Sequence, residues 1–207
     1  MIEHHDHYFT ESPASRLELR RLRVSLAGRE VVVEVASGVF SPGGVDKGTA
    51  VLLREAPAPP GSGTFLDLGC GWGPVALTLA LRAPEASVYA VDVNERAVDL
   101  TARNAAALGV ARLHATTPDG VPADVTFDLI WSNPPIRVGK AALHDLLLDW
   151  LPRLAPGGEA YLVVQKNLGS DSLQRWLAEV LGAGYAVDRH STSKGFRVLR
   201  VRRGVVR

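Results

Sequence analysis

From Thr64 onward, short apolar runs alternate with longer amphipathic stretches, and this alternation constrains the architecture before any motif is read. Strand-like runs fall at 64–68, 87–92, 111–115, 126–132 and 159–165, and helical periodicity at 73–82, 95–108, 140–153 and 170–182. Strands that each feed a helix pair in parallel, with helices on both faces of the sheet. The pattern breaks at the end. Residues 184–190 and 196–203 are two strands across a short polar turn, which predicts an antiparallel pair. Ahead of the alternation, 17–26 and 30–35 alternate apolar and polar residues around Ala27-Gly28-Arg29, which predicts a hairpin. A short helix is expected from Lys47 to Glu55, and the Pro/Gly-rich stretch 56–63 reads as a stiff linker. The expected division is an N-terminal extension, 1–60, packed on a main body, 61–207.

The first strand ends in F65-L-D-L-G-C-G-W-G-P74. Gly69, Gly71 and Gly73 allow a tight turn and close approach of backbone to a ligand. The loop opens a helix, where unpaired N–H groups gather. The second strand ends at Asp92, 23 positions after Gly69. A carboxylate there suits the two hydroxyls of a ribose, so a nucleoside-containing cofactor is expected. A dinucleotide fingerprint needs glycine at position 74, which is Pro74. Asp67, immediately before the loop, is awkward beside a pyrophosphate but suits an ammonium group.

D67-L-G-C-G-W-G73 resembles the first motif of class I S-adenosylmethionine-dependent methyltransferases. That resemblance implies a Rossmann-like, seven-stranded, mostly parallel sheet with an antiparallel C-terminal hairpin, in line with the pattern above. It implies that Asp67, Gly69, Cys70, Gly71 and Gly73 surround the methionine part of S-adenosyl-L-methionine. Asp92 and Asn94 would then lie at the ribose, Asp119 at the adenine amine, and Thr49 at the cofactor carboxylate or, equally, in a helix first turn. Cys70 is expected to be a loop residue without chemistry of its own.

The fourth strand of the body ends in N133-P-P-I-R137. In the implied fold this tip faces the sulfonium methyl, and Asn133-Pro134-Pro135 resembles the turn of methyltransferases that act on planar exocyclic or amide nitrogens. Such a nitrogen has its lone pair delocalised. The Asn133 side-chain carbonyl and the Pro134 main-chain carbonyl can each accept one N–H and favour a pyramidal amine. Catalysis is then positioning and electrostatics, without a covalent intermediate. The position after the prolines is commonly aromatic in that family, and here it is Ile136. Phe9, Phe40 and Phe196 are the candidates for the missing stacking partner.

The order H7-Y-F-T-E-S-P13, G38-V-F-S-P-G-G-V-D-K-G-T49, the glycine loop, F127-D-L-I-W-S-N-P-P-I-R137 and S193-K-G-F-R-V-L199 resembles the small-domain 16S ribosomal RNA guanine-N2 methyltransferases. The resemblance implies an N-methyltransferase whose partner is ribosomal RNA or the small-subunit particle. Glutamine-N5 protein methylation, adenine-N6 methylation and a non-catalytic RNA-binding module are the other readings these residues allow.

Charge fits the RNA reading in distribution rather than in total. The net charge is only +1, yet Lys194, Arg197, Arg200, Arg202, Arg203 and Arg207 follow one another without an acid. Arg137 and Lys140 after the catalytic turn, and Lys194, Phe196 and Arg197 on the last turn and strand, are candidate substrate contacts. A single cysteine excludes an internal disulfide and fits a reducing cytoplasm. No apolar run approaches the roughly 20 residues of a membrane span. The cluster His4, His5 and His7 with Glu3 and Asp6 lacks a partner motif, so no metal is expected. A monomer is expected.

Overall fold

The computed structural model describes residues 18–205, excepting the side chain of Arg137. The histidine cluster, Phe9, the 7–13 motif and Arg207 lie outside the described residues. The N-terminal hairpin is β1 (Leu19–Leu26) and β2 (Arg29–Ala36). Ala27 and Gly28, both at positive φ, form the two-residue turn between them. Helix α1 (Lys47–Glu55) follows, with the expected ends.

The body alternates as the sequence predicts. It runs β3 (Thr64–Leu68), α2 (Pro74–Arg82), β4 (Ser87–Val91), α3 (Glu95–Ala107), β5 (Leu113–Thr116) and β6 (Phe127–Ser132). It ends with α4 (Lys140–Trp150), β7 (Leu154–Gln165), α5 (Ser170–Leu181), β8 (Tyr185–Ser193) and β9 (Phe196–Arg203). Seven strands form one sheet in the order β5-β4-β3-β6-β7-β9-β8. The pairs from β5 to β7 are parallel, and β9 runs antiparallel to both β7 and β8.

The period of two along the strands decides which helix each residue meets. Phe65, Leu129 and Trp131 face α1 and α2 with Val51, Leu52, Val75 and Leu79. Leu66, Leu68 and Ile130 face the other way, onto Leu143 and Leu147 of α4 and Leu173 and Leu177 of α5. Asp67 alternates with Leu66 and Leu68, so it is carried to the α2 side and buried at 1% exposure.

The hairpin is not a loose appendage. Leu26, Val33 and Val35 share a core with Leu77 of α2, Leu100 of α3 and Trp72 of the glycine loop. Asn104 locks the three parts together. Its side chain accepts from Glu34 N at 2.7 Å and donates to Glu34 O at 2.9 Å and to Trp72 O at 3.0 Å.

β7 departs most from its expected bounds. It begins at Leu154, five residues before the expected 159. The strand absorbs Pro156-Gly157-Gly158 as an irregularity opposite Phe127 and Leu129.

Candidate active site

The chain leaves β3 to form β4 and β5 on one side, then crosses back to place β6 on the other side of β3. Such a switch point opens a crevice at the C-terminal strand ends. Ser132 ties the two tips together, its Oγ donating to Leu68 O at 2.6 Å. The crevice holds a pocket bounded by Phe40, Asp46 and Thr49 from the N-terminal extension, Asp67 and the 69–72 loop from β3, and Asn133 from β6. Residues 84 positions apart in the sequence, Thr49 and Asn133, are in hydrogen-bond contact here.

Gly69, Gly71 and Gly73 all have positive φ. At Gly73 a Cβ would also lie 2.9 Å from Thr101 Oγ1, so this position excludes a side chain twice over. Trp72 turns inward and donates from Nε1 to Ser41 O at 3.2 Å, which pins the loop to the segment before α1. Cys70 is buried, and burial pushes its thiol well above the usual range, so it has no nucleophilic character.

Asp67 Oδ2 accepts from Ala76 N at 2.9 Å, whereas Oδ1 is buried without a partner among the described residues. Desolvation raises its pKa to about 8, aided by the charge of Asp92. Asp92 accepts one backbone N–H on each oxygen, from Gly71 at 2.9 Å and Asn94 at 3.0 Å. Its carboxylate is thereby aimed along the loop with lone pairs remaining, and burial pushes its pKa up. Asn94 caps α3 by accepting from Arg96 N at 3.0 Å, and it donates to Gly38 O at 2.8 Å. It therefore holds the loop before α1 in place. Asp119 lies exposed on a turn after β5 and accepts from Thr117 Oγ1.

Asn133 is half-buried and donates from Nδ2 to Asp46 Oδ2 at 2.6 Å and to Thr49 Oγ1 at 3.1 Å. Thr49 is thus engaged with Asn133 and Asp46. Sequence reasoning did not foresee the contact of Asp46 with Asn133. The only local signal, an Asp two residues before Gly48, reads as a helix cap, and Asp46 does cap α1. The Pro134 carbonyl accepts from Ile136 N at 2.9 Å, and Pro135 sits at φ −75°, ψ 75°, an inverse γ-turn.

That turn sends Ile136 away from the first pocket. It lines a second one with Lys140, Leu143, His144, Leu168 and Ser172. Ile136, expected in the catalytic turn without the stacking ring usual there, therefore lines a different pocket from Asn133. Phe40 is exposed at the rim of the first pocket, and Phe196 packs near Gly48 and the Asn133 amide. Lys140 and Lys194 are exposed. Arg197 is not: it is buried and ion-paired with Asp171, so its charge is spent within the fold rather than offered to a phosphate.

Residues 30–200 match the methyltransferase small domain family. The chain belongs to that family. It is 31% identical over 201 residues to the uncharacterised protein YbxB of Bacillus subtilis, covering 96% of this chain and 98% of that one. It is 35% identical over 199 residues to ribosomal RNA small subunit methyltransferase C of Pseudomonas entomophila, covering 94% of this chain and 56% of that enzyme. Against that enzyme the chain therefore spans only a little over half the length. Among solved structures, the Thermus thermophilus 16S rRNA N2 G1207 methyltransferase in complex with S-adenosylmethionine and guanosine superposes with a TM-score of 0.74. Identity there is 25%, over 92% of this chain and 52% of that one. The fold is that of the Rossmann-like methyltransferases.

With the family comes the cofactor, S-adenosylmethionine, and the residues present fit it. A buried carboxylate oxygen without a donor calls for a cation, and the methionine ammonium supplies one. The side-chain-free backbone at Gly69 and Gly71 admits the amino-acid moiety, and Asp92 retains acceptor capacity for the ribose hydroxyls.

Proposed function

We propose that this methyltransferase transfers a methyl group from S-adenosylmethionine to the exocyclic N2 amine of a guanine in 16S ribosomal RNA. The observation that carries the reading is the meeting of Asn133 with Asp67 and the glycine loop in one pocket. Similarity to enzymes named for small-subunit ribosomal RNA, one of them for N2 of a guanine, supports the choice of target.

S-adenosylmethionine supplies an electrophilic methyl on a sulfonium. Asp67 Oδ1 would hold its ammonium end, and Asp92 its ribose. Asn133 Oδ1 accepts one N–H of the incoming amine. The Pro134 carbonyl has a second lone pair beyond the one used by Ile136, and it accepts the other. Two acceptors would set the amine with its lone pair toward the methyl, the sulfur leaving as the thioether of S-adenosylhomocysteine and the amine giving up one N–H proton to water. The exposed ring of Phe40 at the rim offers a face for the base, taking the place of an aromatic after the prolines. A base in folded RNA must leave its stack to enter such a pocket.

The test is methyl transfer from labelled S-adenosylmethionine to small-subunit particles, naked 16S ribosomal RNA and total protein, with Asn133→Ala in parallel. Label recovered as N2-methylguanosine, and lost in the variant, is the expected result. Label in protein would overturn the RNA target and keep the chemistry.

A further inference from the structure

Asn133 serves an amine only if its carbonyl, not its NH2, faces the amine. The two ends of a carboxamide are nearly isosteric, and rotation exchanges an acceptor for two donors. Something must hold the choice, and the structure supplies it from 87 positions earlier in the chain.

Asp46 Oδ2 lies 2.6 Å from Asn133 Nδ2. A carboxylate only accepts. Thr49 Oγ1 lies 3.1 Å from the same nitrogen, and its own proton is donated to Asp46 Oδ2 at 2.8 Å. Toward Asn133 the hydroxyl therefore also offers only a lone pair. Both neighbours demand a donor, and only the amide nitrogen can satisfy them. The reverse orientation would set a carbonyl against a carboxylate.

Asp46 is itself immobilised. Oδ1 accepts from Gly48 N at 2.7 Å, and Oδ2 accepts from Thr49 N at 3.2 Å. Oδ2 thus receives three donors. Gly48 closes the arrangement. A Cβ there would lie 3.3 Å from Asn133 Oδ1, 3.4 Å from Nδ2 and 3.2 Å from Phe196 Cε1.

We propose that Asp46 is a positioning residue that fixes the polarity of the Asn133 carboxamide, with Thr49 as the second half of the clamp. It turns the carbonyl to the pocket and so makes the turn a receptor for N–H groups. The role rests on the reading of Asn133 as the residue that receives the amine.

The decisive variant is Asp46→Ala. It removes the carboxylate from Asn133 Nδ2 and leaves no amide that could turn a carbonyl back to it. The first readout needs no substrate. In 15N-labelled protein, the Asn133 side-chain NH2 resonance, assigned by its disappearance in Asn133→Ala, is expected to be shifted and protected from exchange. In Asp46→Ala it moves and loses protection. The second readout is methyl transfer. Asp46→Ala lowers kcat by about the same factor as Asn133→Ala, and the loss falls on kcat rather than on KM. Added to Asn133→Ala it costs nothing more in kcat, because it acts through that side chain. An unchanged resonance, or losses that multiply in the double variant, would overturn the assignment. Should Asp46→Ala fold poorly, Gly48→Ala keeps the cap and presses a methyl on the amide. It is expected to move the same resonance and lower kcat without lowering Tm, and no movement counts against the clamp. If the parent methylates no RNA, the target reading fails while the resonance still decides the role of Asp46.

Discussion

Asp67→Asn separates what the cofactor needs from what the fold tolerates. Among the described residues no donor reaches one buried oxygen of Asp67, and burial raises its pKa from 3.8 to about 8. A carboxyl whose folded pKa exceeds its unfolded one contributes stability that is complete below the unfolded value. That stability is lost as pH climbs through the folded value, because the unfolded chain releases the proton first. Within that window the group costs up to about 1.4 kcal/mol per pH unit, or on the order of 4 kcal/mol between about pH 5 and about pH 8. For a domain of this size that is roughly ten degrees in Tm. Asparagine keeps the acceptor for Ala76 N and carries no charge. The variant should therefore gain on the parent as pH rises, read by thermal unfolding without ligand at each pH. With S-adenosylhomocysteine the order reverses. The parent pairs the ligand ammonium and releases close to one proton near pH 7, measurable by calorimetry in buffers of different ionisation enthalpy. The variant leaves a buried ammonium unpaired and should bind roughly 100-fold or more weakly. A Tm difference independent of pH, or undiminished affinity in the variant, would refute the reasoning.

Asn133→Ala should lower kcat roughly 100- to 1,000-fold, the scale for removing one preorganised hydrogen-bonding group, with cofactor affinity retained by titration. Gly73→Ala meets Thr101 Oγ1 and a φ of 95°, so it should destabilise the loop and weaken cofactor binding, both visible in ligand-dependent thermal shifts. Asn104→Ala removes three hydrogen bonds, one buried and two half-buried, and leaves Glu34 N without its acceptor, a loss of roughly 1–3 kcal/mol by denaturant titration. Lys140→Ala, at an exposed position after the Asn133-Pro134-Pro135 turn, should weaken RNA binding and reduce its salt slope by about 1 in filter binding if the proposed target holds.

The sequence discloses periodic features and conceals those that depend on distant packing. Strand and helix positions were legible because alternation and helical period are local, and α1 lies where its apolar spacing predicts. The glycine loop and Asn-Pro-Pro were legible because each sits at a strand end. Three things were hidden. The Asp46 contact to Asn133 joins two elements whose neighbourhood exists only after the sheet forms. Arg197 reads as one more cation on a basic strand, yet the alternation of β9 carries it inward to Asp171. The direction of Ile136 depends on a γ-turn at Pro135 that composition does not reveal.

The clamp made by Asn104 has a consequence for how such a protein can be divided. The Pro/Gly stretch at 56–63 invites a cut between hairpin and sheet. A cut there leaves Trp72 without its cover of Leu26, Val33 and Val35, and the glycine loop without its tie to Ser41. The smallest piece that could be copied, fused or transplanted with its glycine loop intact is therefore hairpin and sheet together. A duplication or a designed chimera that respects only the sheet would inherit the motif and lose the pocket.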